Sequence, residues 1–121
     1  DLAYLGTRFI ATTEANADPR YKQMLVETMA NDIVYSNLFT GVHGNYLAPS
    51  ITAAGLDPNA LPEADKSKMN FGSGGNTEKK AWKDIWGAGQ GVGQIQDIVP
   101  AADVVAKLKR EYEAAKRGLA V

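Results

Sequence analysis

Two glycine-bearing segments carry the residues best suited to bind a ligand. Gly6 and Thr7 close an apolar run and sit where a strand would end. Glycine at a strand exit lets the backbone approach a phosphate group, and the neighbouring N–H groups supply donors. The Thr7 hydroxyl adds one more. A tight strand exit with no ligand explains the same pair. The second segment runs from Trp86 to Gly93, with small residues at 87, 88, 89, 91 and 93. It fails as a dinucleotide fingerprint. G-x-G-x-x-G from Gly87 requires glycine where Val92 stands, and from Gly89 it requires glycine where Gln94 stands. What remains is a surface on which a flat ligand or another backbone can pack closely, with Gln90 offering an amide donor and acceptor. A tightly crossing helix accounts for these glycines equally well.

Other chemistry-bearing residues are scattered. His43 is the only histidine, and its sequence neighbours include no metal or triad partner. It reads as a loop histidine or as a lone proton donor or base. Tyr35, Tyr46, Trp82 and Trp86 could line a site, although aromatics at such spacing commonly form core. Asp65, Asp84, Asp97 and Asp103 show no metal-ligand spacing. The residues alone name no catalytic group, no metal and no reaction.

Several elements must position these segments. Residues 2–5, Leu-Ala-Tyr-Leu, read as a buried strand of the kind found in parallel sheets. Residues 8–17 read as a polar connection. Asp18 followed by Pro19 is a helix start, an Asx cap before proline at the first helical position. That helix is expected to reach about Ala30, burying Tyr21, Met24, Leu25 and Met29 on one face. Ile33 to Phe39 reads as the only other good strand, ending at Thr40 and Gly41. A short helix from Pro49 or Ser50 should stop at Gly55. Residues 63–76 look like a loop, and another helix is expected near Thr77, with Glu78, Ala81 and Trp82. After Pro100, the positions Val104, Val105, Leu108, Tyr112 and Ala115 form a helical apolar stripe that Gly118 closes.

Composition narrows the function classes. The chain has 121 residues, 45% of them hydrophobic, enough for one core. Thirteen basic side chains against 14 acidic ones, without like-charge blocks, argue against nucleic acid or an anionic membrane surface as partner. The absence of cysteine excludes a disulfide framework and thiolate chemistry within these residues. No apolar run approaches the roughly 18 residues of a membrane span. A soluble, cytoplasmic protein is expected.

An opening at Asp1, directly into a buried-type strand with too few partners, predicts the C-terminal piece of a larger protein. Resemblance sharpens this. The run from Asp1 through Leu5, Gly6, Thr7, Arg8 and Phe9 to Thr12, followed by Glu14, resembles the last barrel strand of the nitronate monooxygenase (2-nitropropane dioxygenase) family and related NAD(P)H-dependent flavin oxidoreductases. Residues 85–93 resemble that family's Trp-x-Ala-Gly-Gln segment. Phe39-Thr40-Gly41 followed by Asn45-Tyr46-Leu47 looks like its return strand.

The resemblance implies an α/β fold, the C-terminal segment of an FMN-binding (β/α)8 TIM barrel that is itself mostly helical. One unit of residues 1–121 would comprise the last barrel strand and its helix (1–31), a substrate-domain segment and loop (32–76), and a flavin-proximal segment with the C-terminal helix (77–121). Gly6 and Thr7 would bind the FMN phosphate; Trp86, Ala88, Gly89 and Gln90 would lie near the flavin ring. The implied reaction is oxidation of alkyl nitronates by O2 to a carbonyl compound and nitrite. The family's catalytic histidine lies upstream of the matching segment, and His43 does not match its motif. The missing N-terminal barrel portion is therefore an expected partner, and the chain alone should bind FMN weakly and not turn over. Two other readings stay open: an FMN-dependent NAD(P)H:quinone or enoyl reductase of the same fold, and a non-catalytic interaction module.

Overall fold

The computed structural model describes residues 2–63 and 83–119. The expected loop over 63–76, Asp65, and the expected helix near Thr77 with Trp82 lie largely or wholly outside the described residues.

Residues 2–5 do not form the expected strand. They are irregular, with Leu2 and Tyr4 fully exposed and Leu5 partly so. A strand requires a ladder partner for its N–H and C=O groups, and the described residues provide none here. Helix begins sooner than expected. Gly6 precedes a single turn, α1 (Thr7–Ile10), where a polar connection was predicted. The next residues go inward: Ala11 and Thr12 are buried, and Thr12 bridges in parallel to Val99.

Helix α2 (Pro19–Glu27) starts as the Asx-Pro signal requires, with the Arg20 N–H donating to Asp18 Oδ1 at 2.8 Å. It stops three residues before the predicted Ala30. The Thr28 hydroxyl donates to the Met24 carbonyl at 2.6 Å, and Thr28 turns extended, so the helical ladder ends there. Leu25 is fully buried and Tyr21 and Met24 pack beside it, but Met29, expected on the same face, is exposed. A 3-10 turn (Ala30–Asp32) leads to the sheet.

Strand β1 (Ile33–Ser36) pairs antiparallel with β2 (Gly44–Leu47), matching Ile33 to Leu47 and Ser36 to Gly44. The predicted strand to Phe39 is thus too long. Ser36 Oγ accepts from the Leu38 N–H at 3.1 Å and turns the chain, and Gly41 takes the left-handed φ of 81°. The residues alone left β2 undecided, so the count of one further strand is also corrected. β2 runs straight into α3 (Ala48–Ala53), which ends before Gly55 at φ 88°, as the glycine predicted.

A second 3-10 turn (Gln90–Gln94) precedes α4 (Ala101–Leu119). That helix passes through Gly118 instead of closing at it. Its predicted stripe is only partly buried: Val104 is 3% exposed and Leu108 half-buried, whereas Val105 and Tyr112 are 57% and 66% exposed. Val104 is the only buried residue of α4 among the described ones. The core itself joins Ala11, Leu25, Leu47, Ala88, Val92 and Ile95, with Ile10, Tyr21, Met24 and Trp86 around it.

A carboxylate far away in sequence anchors α4. Both oxygens of Glu14 accept from the Ala101 N–H, at 2.9 and 3.0 Å, where the helix leaves donors unpaired. Hydrogen bonds from the Thr13 hydroxyl and then the Ala101 N–H hold the Glu14 carboxyl below its ordinary value near 4.5. A lowered pKa in the folded state contributes stability above the unfolded value and loses it as pH falls through the folded one. Acidification below about pH 4.5 should therefore release the α4 N-terminus. Ala101 amide shifts should move with that titration in the native chain and lose it in Glu14→Gln.

Candidate functional site

The two ligand-suited segments meet. Thr7, at the start of α1, places Oγ1 3.0 Å from the Gly89 N–H and accepts its hydrogen bond. Residues 82 positions apart thus share one edge, beside the second 3-10 turn. The Thr7 hydroxyl proton has no acceptor among the described residues, so Thr7 can still donate outward. Gly6 lies next to it with open space on its Cβ side, and Gly91 is open likewise.

Strand β2 shapes the rest of the segment. The Leu47 N–H donates to the Trp86 carbonyl at 2.8 Å and the Ala88 N–H to the Asn45 carbonyl at 3.2 Å. With the Tyr46–Gly87 bridge, residues 86–88 lie along β2 as an irregular third strand. This close approach explains one glycine. A Cβ at Gly87 would stand 3.2 Å from the Asn45 carbonyl oxygen, tighter than ordinary contact. At Gly93 the neighbours are Met29 and Ala30, at ordinary contact distance. Backbone packing, not a ligand, accounts for Gly87, whereas nothing of the described chain requires glycine at 91. Gly87→Val should accordingly destabilise by about 1–3 kcal/mol, while Gly91→Ala should stay within about 0.5 kcal/mol. Urea midpoints of the two variants compare them directly.

Of the aromatic candidates, Trp86 faces α2. Its ring stacks on Tyr21 with centroids 5.0 Å apart and planes 4° from parallel, and the Arg20 guanidinium lies 5.8 Å from its centroid. Ala88 is 8% exposed and belongs to the core. Gln90 is exposed, and its side-chain amide donates to Asn45 Oδ1 at 3.4 Å. His43 is an exposed residue of the hairpin loop, its ring stacked on Tyr35 with centroids 4.5 Å apart. Tyr46 packs edge-on against Phe39. Among the described residues no group of His, Cys, Asp or Glu could hold a metal ion, and no helix is long and apolar enough to cross a membrane.

Sequence reasoning passed over two residues that hold this edge. The Tyr21 hydroxyl donates to the Gly87 carbonyl. Ser50, fully buried, accepts from the Trp86 N–H at 3.1 Å and donates to the Leu47 carbonyl at 2.7 Å. Tyr21 lay on the apolar stripe and Ser50 marked a helix start. Neither signal discloses a partner dozens of residues away.

No protein-family model matches the sequence. The nitronate monooxygenase of Paraburkholderia phytofirmans is 32% identical over 126 residues, spanning 92% of this chain and 31% of that protein. Over that shared part the chain is similar to nitronate monooxygenase. The structure of a FabK mutant from Thermotoga maritima superposes with a TM-score of 0.60 at 20% identity, over 94% of this chain and 35% of that one. At that identity the likeness concerns the fold alone, which is a mostly helical segment of an α/β TIM-barrel architecture. The chain thus spans about a third of either relative, the nitronate monooxygenase and FabK alike.

Proposed function

We propose that this chain forms part of an FMN-dependent oxidoreductase that oxidises alkyl nitronates with O2 to a carbonyl compound and nitrite. The observation that carries the reading is the Thr7–Gly89 hydrogen bond, because it joins the two segments that the resemblance assigns to one cofactor. Two features of these residues support that cofactor. Gly6 and Gly91 leave open space where a side chain would stand, and Thr7 keeps a hydroxyl proton for a phosphate oxygen. The likeness to nitronate monooxygenase supports the choice of substrate.

In this reading the N–H groups at Gly6 and Thr7, with the Thr7 hydroxyl, hold the phosphate. Gly89 and Gln90 lie along the ring, and Asn45 orients the Gln90 amide through its Oδ1. Trp86 and Ala88 back the segment from the core side. When bound, the flavin supplies the redox chemistry, and the chain contributes binding and orientation. The N-terminal barrel portion of such an enzyme is the partner we propose. The exposed Leu2, Tyr4 and Leu5 supply the apolar run it would cover as a strand.

Flavin fluorescence should be titrated with the chain alone and with a complementing barrel portion, followed by assays of the reconstituted enzyme. Oxygen uptake and nitrite release on propyl nitronate are expected, with little NADH consumption. Rapid NADH oxidation without a nitronate reaction would sink the nitronate reading and favour a quinone or enoyl reductase. Absence of flavin binding in both arms would sink the cofactor assignment.

A further inference from the structure

The backbone of residues 86–89 is held from outside at most of its polar atoms. Trp86 N–H donates to Ser50 Oγ and its carbonyl accepts from Leu47, while the Gly87 carbonyl accepts from Tyr21. The Ala88 N–H is taken by the Asn45 carbonyl and the Gly89 N–H by Thr7. Three of these partners are side-chain hydroxyls, each from a different helix: Thr7 in α1, Tyr21 in α2 and Ser50 in α3.

Glycine-rich backbone has more freedom to lose than any other, so its own sequence does not fix its path. A ligand that meets a loose segment must bear the ordering cost, and a segment already fixed removes that cost from binding. The Tyr21 hydroxyl makes no other hydrogen bond among the described residues, and the Ser50 hydroxyl, while donating to the Leu47 carbonyl, accepts from Trp86. Stacking on Trp86 requires an aromatic ring at 21, which phenylalanine would supply. The buried position at 50 would accept alanine, a better helix former. Burial pushes the Tyr21 phenol above its ordinary value near 10, so it stays a donor throughout the neutral range.

We propose that Tyr21 and Ser50 are positioning residues, whose hydroxyls clamp the Trp86–Gly87 backbone and so hold Gly89 and Gln90 in place for the ligand. The ligand-facing part of this inference rests on the proposed flavin reading; the clamp itself does not. Tyr21→Phe and Ser50→Ala, each in the full chain, test it. The decisive signal is amide exchange at Ala88 and Gly89, because their own acceptors, the Asn45 carbonyl and Thr7 Oγ1, are untouched in both variants. Exchange at these two sites should quicken by about tenfold, with the Leu25 and Val104 amides unchanged. Uniform acceleration along the whole chain would mean a role in global stability alone and would overturn the clamp. Unaltered exchange at Ala88 and Gly89 would overturn it too.

Tyr21→Phe keeps the ring and the packing, so it decides the matter by itself if Ser50→Ala does not fold. With the complementing barrel portion present, FMN affinity should also drop by about tenfold in either variant. Equal affinity in variant and native protein would reject the positioning role. If the native protein binds no FMN, the flavin reading falls and the exchange result still decides the clamp.

Discussion

Leu25→Ala is expected to lower the unfolding free energy by about 2–5 kcal/mol. Leu25 is fully buried on α2 and belongs to the cluster that joins Ala11, Leu47, Ala88, Val92 and Ile95. Removing its branched end costs the transfer energy of the lost carbons and leaves a cavity that helix and sheet cannot both close. Domains of this size are stable by about 5–15 kcal/mol in total, so the variant should be far weaker and partly unfolded at modest urea. The same cluster carries Ala88 and Val92, so loosening should spread to the glycine-rich edge. Urea unfolding followed by tryptophan fluorescence measures it, since Trp86 packs on the cluster. A loss below about 1 kcal/mol would show that Leu25 is not in a close-packed core.

Thr7→Val has the largest expected effect on binding. The substitution keeps shape and β-branching but removes the hydroxyl that accepts from the Gly89 N–H. In the flavin reading it also removes a donor to a charged phosphate, a hydrogen bond worth about 1.5–3 kcal/mol. FMN affinity in the complemented protein should therefore fall roughly ten- to hundred-fold. Thr7→Ser, which restores the hydroxyl, should bind nearly as the native chain does. Equal affinity in Thr7→Val and native protein would remove Thr7 from the phosphate site and leave it the structural role of tying α1 to Gly89.

Local chemistry made some of this legible in the sequence. The Asp18-Pro19 start of α2 and the Gly55 end of α3 each depend on one or two adjacent residues. The glycine-rich segment and the Gly6-Thr7 pair were visible as places where backbone could come close. Their meaning was not. The early end of α2 depends on a threonine bonding back to its own helix, and the length of β1 on Ser36 turning the chain. Both compete with propensities that favour continuing the element, and propensity alone does not choose between them.

The wider errors share one cause. Residues 2–5 and the stripe of α4 carry apolar patterns that predict burial, yet Tyr4 and Tyr112 are exposed. A pattern shows that a face can be buried; it does not supply the surface that covers it. Ser50 and Tyr21 illustrate the converse, because a hydroxyl in a helix looks the same in sequence whether it meets water or a backbone 36 or 66 positions away. The sequence by itself determined the start of α2, the end of α3, the glycine-rich segment and the likeness to nitronate monooxygenase. Only the tertiary structure decided that Thr7 meets Gly89, that β2 lines residues 86–88, and that three helices fix that edge. Those contacts form between segments far apart in the chain, where the hydrogen-bonding demand of buried backbone selects a partner that no local pattern names.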